Sequence, residues 1–404
     1  VVKTLDGAPV QQSDGTWDIA YTLTVTNPSA TQQGRFDLSD AFHFGGGLSV
    51  NSAAVSGPDA AANWNGSSNT VIVTNHTIAP RDAAHPSLEY HVTVNASVAK
   101  DTPDADRVCD STTGAGHGFF NTATITVDGV PTDSSACATP AKPTITKTFT
   151  SVAQTATTPW DGKWLVTYDV TVTNPDTQGT ALRYSLQDTP TFPAGVTIDT
   201  ASATPQGTWN GTSILGMATN KPLAAGATDT YTVTVTVTFG STIAAGDMAC
   251  ATPNTPGEGL YNKATATWGN DDISAVDCGD IPGPATPTLA KTVIGTPVQG
   301  ADGTWTIQYL LTVSNAANDI AAKYSLTDDL ADFASGIQVQ SRTVTNPAGA
   351  TTAWNGTDAL ATDRSIAARA TESYTVTVVA KVTDQTAATD RACDATKGPG
   401  HGFF

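Results

Sequence analysis

Apolar and polar residues alternate along three similar stretches of this chain. "DGTWDIAYTLTVTNP", "DGKWLVTYDVTVTNP" and "DGTWTIQYLLTVSNA" each open on an Asp-Gly turn signal and then place an apolar residue at nearly every second position. Period two is the signature of a strand with one buried face. Shorter runs follow each of them: "FDLSD", "YSLQD" and "YSLTD", then "YHVTVNASV", "YTVTVTVTF" and "YTVTVVAKV". The last complete runs are "NTATITV" and "NKATATW". Turn-rich segments separate all of these, and no long helical period interrupts them. Several alternating strands per stretch predict two antiparallel sheets packed face to face. The fold class is all-β, with immunoglobulin-like sandwiches in tandem.

The runs recur at a fixed interval. Lys3, Lys147 and Lys291 stand at the same place in "VVKTLDG", "ITKTFTS" and "LAKTVIG", 144 residues apart. Trp64, Trp209 and Trp354 of the "WNG" motifs are 145 apart. A period of this size means an array of whole domains. The copies span residues 1–140, 141–285 and 286–404. The joints "ATPAKPT" and "GDIPGPATPT" are proline-rich, which predicts short, semi-rigid spacers and an elongated array. By the repeat period, the third copy lacks roughly its last 28 residues and with them its final strand. The expectation is a piece of a longer array. "GAGHGFF" and "GPGHGFF" also make the third copy more like the first than the second, as in an array alternating two domain types.

Five cysteines recur at corresponding places in the copies. Cys109 and Cys137 are 28 apart, and so are Cys250 and Cys278; Cys393 occupies the Cys109 position in copy three. Equal spacing in two diverged copies predicts one disulfide per complete domain, ahead of a metal site, which wants further ligands nearby. Structural disulfides belong to an oxidising compartment outside the cytoplasm.

Three polar residues recur where the pattern calls for apolar ones. Lys3, Lys147 and Lys291 stand on the first strand, and Asp40, Asp188 and Asp328 end the "FDLSD/YSLQD/YSLTD" runs. Asn121 and Asn262 open the last strand read from the pattern. First and last strands of a sandwich are expected side by side. A buried lysine loses its proton more easily and a buried aspartic acid holds its own. A neutral amine can then attack the asparagine amide while the acid polarises it, forming an intramolecular isopeptide bond. The second reading is structural: lysine snorkels at a strand end, Asp caps a turn and Asn bonds to its own backbone.

The order "YTLTVTNP", "YSLTD", "YTVTVTVT", "YNKATATW" resembles the conserved-repeat family of bacterial and archaeal surface proteins catalogued as domain of unknown function eleven. The resemblance covers nearly the whole chain three times over and implies extracellular, immunoglobulin-like stalk repeats. The Lys, Asp, Asn order is also similar to isopeptide-bonded pilin and adhesin domains of Gram-positive bacteria. That resemblance implies one set of Lys3, Asp40 and Asn121 and a second of Lys147, Asp188 and Asn262. Lys291 and Asp328 are an incomplete third.

Composition narrows the remaining classes. Only 14% of residues are charged, and the net charge of −18 with a pI near 4.4 argues against a nucleic-acid partner. No run is long enough to span a membrane as a helix. The chain begins at Val1 with no signal peptide, which leaves its destination open. Asn65, Asn210 and Asn355 stand in glycosylation sequons, but Asn-Gly is also the strongest tight-turn pair, with Trp packed beneath it. His43, His76, His85, His91 and His117 fall in copy one, His401 in copy three and none in copy two, so no chemistry of the array depends on them. Asp101, Asp104, Asp106 and Asp110 lack calcium-loop spacing and read as a solvated turn. No cofactor or resident metal is expected, and no repeated constellation indicates an enzyme that turns over. The sequence therefore points to a stalk or filament segment whose partners are neighbouring copies of the same array. An adhesin whose repeats bind a glycan or protein is the alternative.

Overall fold

The computed structural model describes residues 1–404 except 83–86, 110–113, 318–319, 331–332 and 394–398. The chain is nearly all β, in antiparallel sheets that pair into immunoglobulin-like sandwiches. In copy one the strands are β1 (Val2–Leu5), β2 (Val10–Gln11), β3 (Trp17–Val25), β4 (Gly34–Phe42), β5 (Leu48–Ser56), β6 (Val71–Ile78), β7 (Leu88–Val98), β8 (Asn121–Val127) and β9 (Val130–Ala136). One sheet runs β1-β3-β7-β5 with β2 beside β3; the other runs β6-β4-β8-β9. The alternation in β3 does what the pattern predicts: Trp17, Ile19, Tyr21, Leu23 and Val25 point inward and are buried.

Copy two repeats the plan. Thr144–Gln154, Lys163–Thr173, Thr228–Phe239 and Val196–Thr204 form one sheet. Thr208–Trp209, Leu215–Leu223, Leu182–Pro190, Asn262–Trp268 and Asp271–Asp277 form the other. In copy three, Thr288–Val293, Thr304–Ser314, Thr371–Val382, Ile337–Thr345 and Thr351–Ala353 form the first sheet, with Val298–Gln299 alongside. Ala322–Leu326 pairs with Ala361–Ile366 in the second.

Two expectations need correcting. "NTATITV" is not the last strand of its copy: Asp128 and Gly129, both at positive φ, turn the chain back into β9. The pattern hides β9 because it is a polar, largely exposed edge strand that carries Pro131. Relative to copy one, the second sheet of copy three therefore has no described counterpart of two strands, β8 and β9, rather than one. Nor do the Lys and Asn strands lie side by side. β1 borders one sheet and β8 belongs to the other, while β9 meets β1, with Ser134 Oγ accepting from the Lys3 backbone N–H at 2.9 Å. The Lys3 side chain therefore reaches across the sandwich.

By compactness the chain divides into two units. The first is Val1–Ser151 with Val166–Thr236 and Gly240–Asp280; the second is Val152–Leu165 with Val237–Phe239 and Ile281–Phe404. Copies one and two fall largely within the first unit, and contacts between them explain why. Arg107, only 2% exposed, lies over the Trp268 ring at 4.6 Å and donates to the Pro140 carbonyl. Gln11 accepts from the Arg183 backbone N–H at 2.7 Å. This joint is packed as well as proline-stiffened.

Candidate functional site

The recurring Lys, Asp and Asn meet inside the sandwich. In copy one, Lys3 is the inward residue of β1, and its Nζ lies 2.6 Å from Asp40 Oδ1. Neither side chain has any exposure. The other carboxyl oxygen, Oδ2, accepts from Asn121 Nδ2 at 2.9 Å, and Asn121 is itself fully buried. One carboxyl group thus touches both the amine and the amide. β4 and β8 hold this register by pairing Asp40 with Ala123 and Phe42 with Asn121. Asp40 lies inside its strand rather than at the end the sequence suggested.

Copy two builds the same site. Lys147 Nζ is 2.5 Å from Asp188 Oδ2, again with no exposure of either side chain. Asn262 is buried beside Asp188, close enough to lower that acid's hold on its proton. Its Nδ2 and Oδ1, however, have no hydrogen-bond partner, and neither does Asp188 Oδ1. Buried amide atoms without partners are costly and uncommon. In copy three, Lys291 Nζ lies 2.5 Å from Asp328 Oδ1, but the lysine side chain is 33% exposed.

Burial acts on both members of each closed pair. Removal from water is the largest influence on Lys3 and Lys147 and pulls both below the ordinary lysine value, against the opposing pull of their Asp partners. The same removal from water pushes Asp40 and Asp188 above the ordinary carboxyl value, opposed first by the lysines. Both shifts run toward a neutral amine facing a protonated acid. The lysine also rests on an aromatic face, with Nζ 4.6 Å from the ring centre of Tyr21 in copy one and of Tyr168 in copy two.

Those tyrosines are site residues that the alternation pattern conceals as ordinary core. Tyr21 Oη donates to the Phe119 carbonyl at 2.6 Å, and Tyr168 Oη to the Leu260 carbonyl at 2.5 Å. Each anchored carbonyl lies two residues before the site Asn, so the tyrosine fixes where that Asn enters. Burial raises the pKa of both tyrosines, which keeps them as donors. Asn27, Asn174 and Asn315, which the sequence pattern does not single out, are buried and each donates to backbone carbonyls of the loop and strand beside it.

Cys109–Cys137 and Cys250–Cys278 are disulfide-bonded, each with Cα atoms 5.9 Å apart. Each bridge encloses the whole Asn-led hairpin. Gly118 and Gly259 back them at positive φ, where an added Cβ would come within 2.6 Å and 2.8 Å of sulfur. That close approach explains the Gly of "GHGFF".

The remaining candidates do not gather at the site. Asn65, Asn210 and Asn355 fold their side-chain oxygens onto backbone N–H groups of their own turns. His76 faces Asp59, His91 faces Thr22 and His117 faces the Ala105 carbonyl. His43 is near enough to Asp40 to favour its ionised form slightly. Asp104 is engaged by Lys142 and Arg107. His85 and Asp110 lie outside the described residues.

No family model and no curated protein matches the chain. Among solved structures, it is similar to the C-terminal domain of the Streptococcus agalactiae antigen I/II polypeptide BspA at 13% identity and a TM-score of 0.31. That match covers 68% of this chain and 97% of that one. A Corynebacterium diphtheriae protein whose name refers to membrane anchoring matches at 10% identity and a TM-score of 0.21, over 95% of this chain and 84% of that one. The Amycolatopsis orientalis exo-chitosanase CsxA matches at 14% identity and a TM-score of 0.20, over 73% of this chain and 27% of that one. Likeness at this level assigns no role.

Proposed function

We propose that this chain is a segment of an extracellular stalk or filament of a bacterial surface protein, in which copies one and two are locked by Lys–Asn isopeptide bonds as well as by disulfides. The observation that carries the reading is the fully buried Lys–Asp pair beside a buried Asn amide, present in both copies. Burying a lysine and an aspartate costs stability unless the pair does something for the fold. A bond made once during folding accounts for that cost.

The chemistry uses only these three side chains. The neutral Nζ attacks Cγ of the Asn amide, and the Nζ–Cγ bond forms. Once the amide turns its oxygen toward the acid, in place of the Nδ2 that faces Asp40 in copy one, the Asp proton goes to that oxygen as negative charge develops there. The carboxylate then takes the proton from Nζ and delivers it to the leaving nitrogen. The Cγ–Nδ2 bond breaks, ammonia departs, and the proton on the former amide oxygen returns to the carboxylate as the carbonyl re-forms, so the acid ends protonated as it began.

The mechanical consequence follows from connectivity. With both bonds in copy one, a pull from Lys3 to Cys137 passes through Asn121, back twelve residues to Cys109 and across the disulfide. That path extends to roughly 40 Å, whereas an uncrosslinked chain between the same residues reaches roughly 450 Å. A stalk that bears load without lengthening is the role such a path suits.

Proteolysis of the reduced protein followed by tandem mass spectrometry tests the reading. The expected product is a branched peptide joining the Lys147 segment to the Asn262 segment. Quantitative recovery of both as linear peptides would refute it.

A further inference from the structure

The two sealed sites differ at one position beside the reacting groups. In copy two, Asp277 stands directly opposite Asn262 across the paired strands Asn262–Trp268 and Asp271–Asp277. The residue opposite Asn121 in copy one is Ala136. Cross-strand partners project from the same face of a sheet, so Asp277 brings a second carboxyl group to the edge of the copy-two site. It is half-buried and turned onto the strand that carries the lysine. Its Oδ2 accepts from the backbone N–H of Phe149, two residues past Lys147, at 2.6 Å, and its Oδ1 accepts from that of Cys278 at 2.9 Å. In copy one the hairpin reaches the lysine strand through a neutral group, Ser134 Oγ, which accepts from the Lys3 backbone N–H.

Three ionisable groups face Lys147 from the elements packed around it. They are Asp188 on Leu182–Pro190, Tyr168 on Lys163–Thr173 and Asp277 on Asp271–Asp277. Burial weakens the hold of Lys147 on its proton; Asp188 opposes that first, and Asp277 adds to the opposition. Around Lys3 the opposition comes from Asp40 alone. Tyr168 stays protonated through burial and brings no charge. Asp277 therefore bears on the amine rather than on Asp188.

We propose that Asp277 is a positioning residue for copy two: its carboxylate holds the proton shared by Lys147 and Asp188 on the amine and so slows covalent closure of that copy. The inference rests on the isopeptide reading above, in which only the neutral amine attacks. An ionised carboxylate a few ångströms from an amine strengthens its hold on the proton about tenfold or more. The neutral amine, and with it the rate of bond formation, falls by the same factor. The step itself is unchanged. The proton passes from Nζ to Asp188, the Nζ–Cγ bond forms, the Cγ–Nδ2 bond breaks and ammonia leaves.

The test follows closure from the start. The 404-residue protein is recovered unfolded in denaturant, refolded in a glutathione redox buffer, quenched at intervals, reduced and digested. Mass spectrometry then reads ammonia loss in each copy, with copy one as the internal clock. Asp277→Asn removes the charge but keeps an oxygen for the Phe149 N–H, and near neutral pH it should speed closure of copy two about tenfold. Asp277→Ala, which gives copy two the residue copy one carries, should also speed it, and Asp277→Glu should restore the slow rate. The gain from Asp277→Asn should disappear in acid, where the native carboxylate takes up a proton. A residue that only braced the strand would act with the opposite sign, since its loss would slow closure. Ammonia lost from both copies, at a copy-two rate that Asp277→Asn leaves unchanged or lowers, would overturn this inference and leave the isopeptide reading standing. A gain that persists undiminished in acid would also overturn it. Ammonia lost from neither copy would overturn that reading and this inference together.

Discussion

Lys147 in copy two and Lys291 in copy three each lie 2.5 Å from an aspartate oxygen, yet the first pair is sealed from water and Lys291 is one-third exposed. The distance is set by elements all copies share, the first strand and the strand or loop that presents the acid. The sealing is set by the Asn-led hairpin. Geometry and electrostatics therefore come from different parts of the chain. In copies one and two, burial moves amine and acid toward their neutral forms; in copy three, only the lysine reaches solvent, while the Asp328 side chain stays 6% exposed.

Removing one partner tests that difference most strongly. Asp188→Ala leaves Lys147 buried without its acid and abolishes the proposed bond, so copy two should lose about 3–5 kcal/mol or more. Asp328→Ala should cost copy three less than that, because Lys291 is one-third exposed and can be solvated once its partner is gone. Denaturant unfolding followed by copy-resolved hydrogen exchange reads both. Equal losses would mean that the hairpin does not create the distinction.

The disulfides give the next largest contrast. Replacing Cys250 and Cys278 by Ser opens a 28-residue loop and should cost about 3–4 kcal/mol on loop entropy. Cys393→Ser, at an exposed thiol, should leave thermal unfolding of copy three unchanged. Tyr168→Phe strands the Leu260 carbonyl and should cost about 1–3 kcal/mol. Tyr309→Phe should cost less, because its anchor is only partly buried. Exchange protection of the residues just after each anchored carbonyl would show whether the tyrosine orders them.

The smallest effect carries a sign. Asn121→Ala with Asn262→Ala removes the electrophile and keeps both buried pairs. Because the folded lysines hold their protons less tightly than the unfolded ones, the unfolded chain binds more protons just below pH 10.5, and stability should rise with pH there. The folded acids hold their protons more tightly, so stability should fall as pH rises above 3.8. Each slope is at most about 1.4 kcal/mol per pH unit per proton. A charged ion pair would reverse both signs, and pH-dependent denaturation distinguishes the two.

Repetition made much of this legible in the sequence. Alternation gave the sandwich strands, and the recurrence of Lys, Asp, Asn and Cys in the same order in successive copies separated the site from ordinary polar residues. What stayed hidden had specific causes. β9 is polar and exposed, so no burial pattern marks it. Tyr21 and Tyr168 stand in the repeated motifs, but an inward aromatic on a strand reads as core until its hydroxyl partner is known. Asn27 and Asn174 went unmarked because their donors reach carbonyls far along the chain, up to 52 residues away for Asn27. The Arg107–Trp268 contact occurs at one joint and leaves no periodic trace.

The central claim is that the sealed sites of copies one and two have become covalent bonds. Intact mass of the denatured, fully reduced protein tests it directly. The account predicts a mass short of the sequence by two ammonia molecules, with one restored by Asp188→Ala and the other by Asp40→Ala. A full sequence mass in the unsubstituted protein would contradict it.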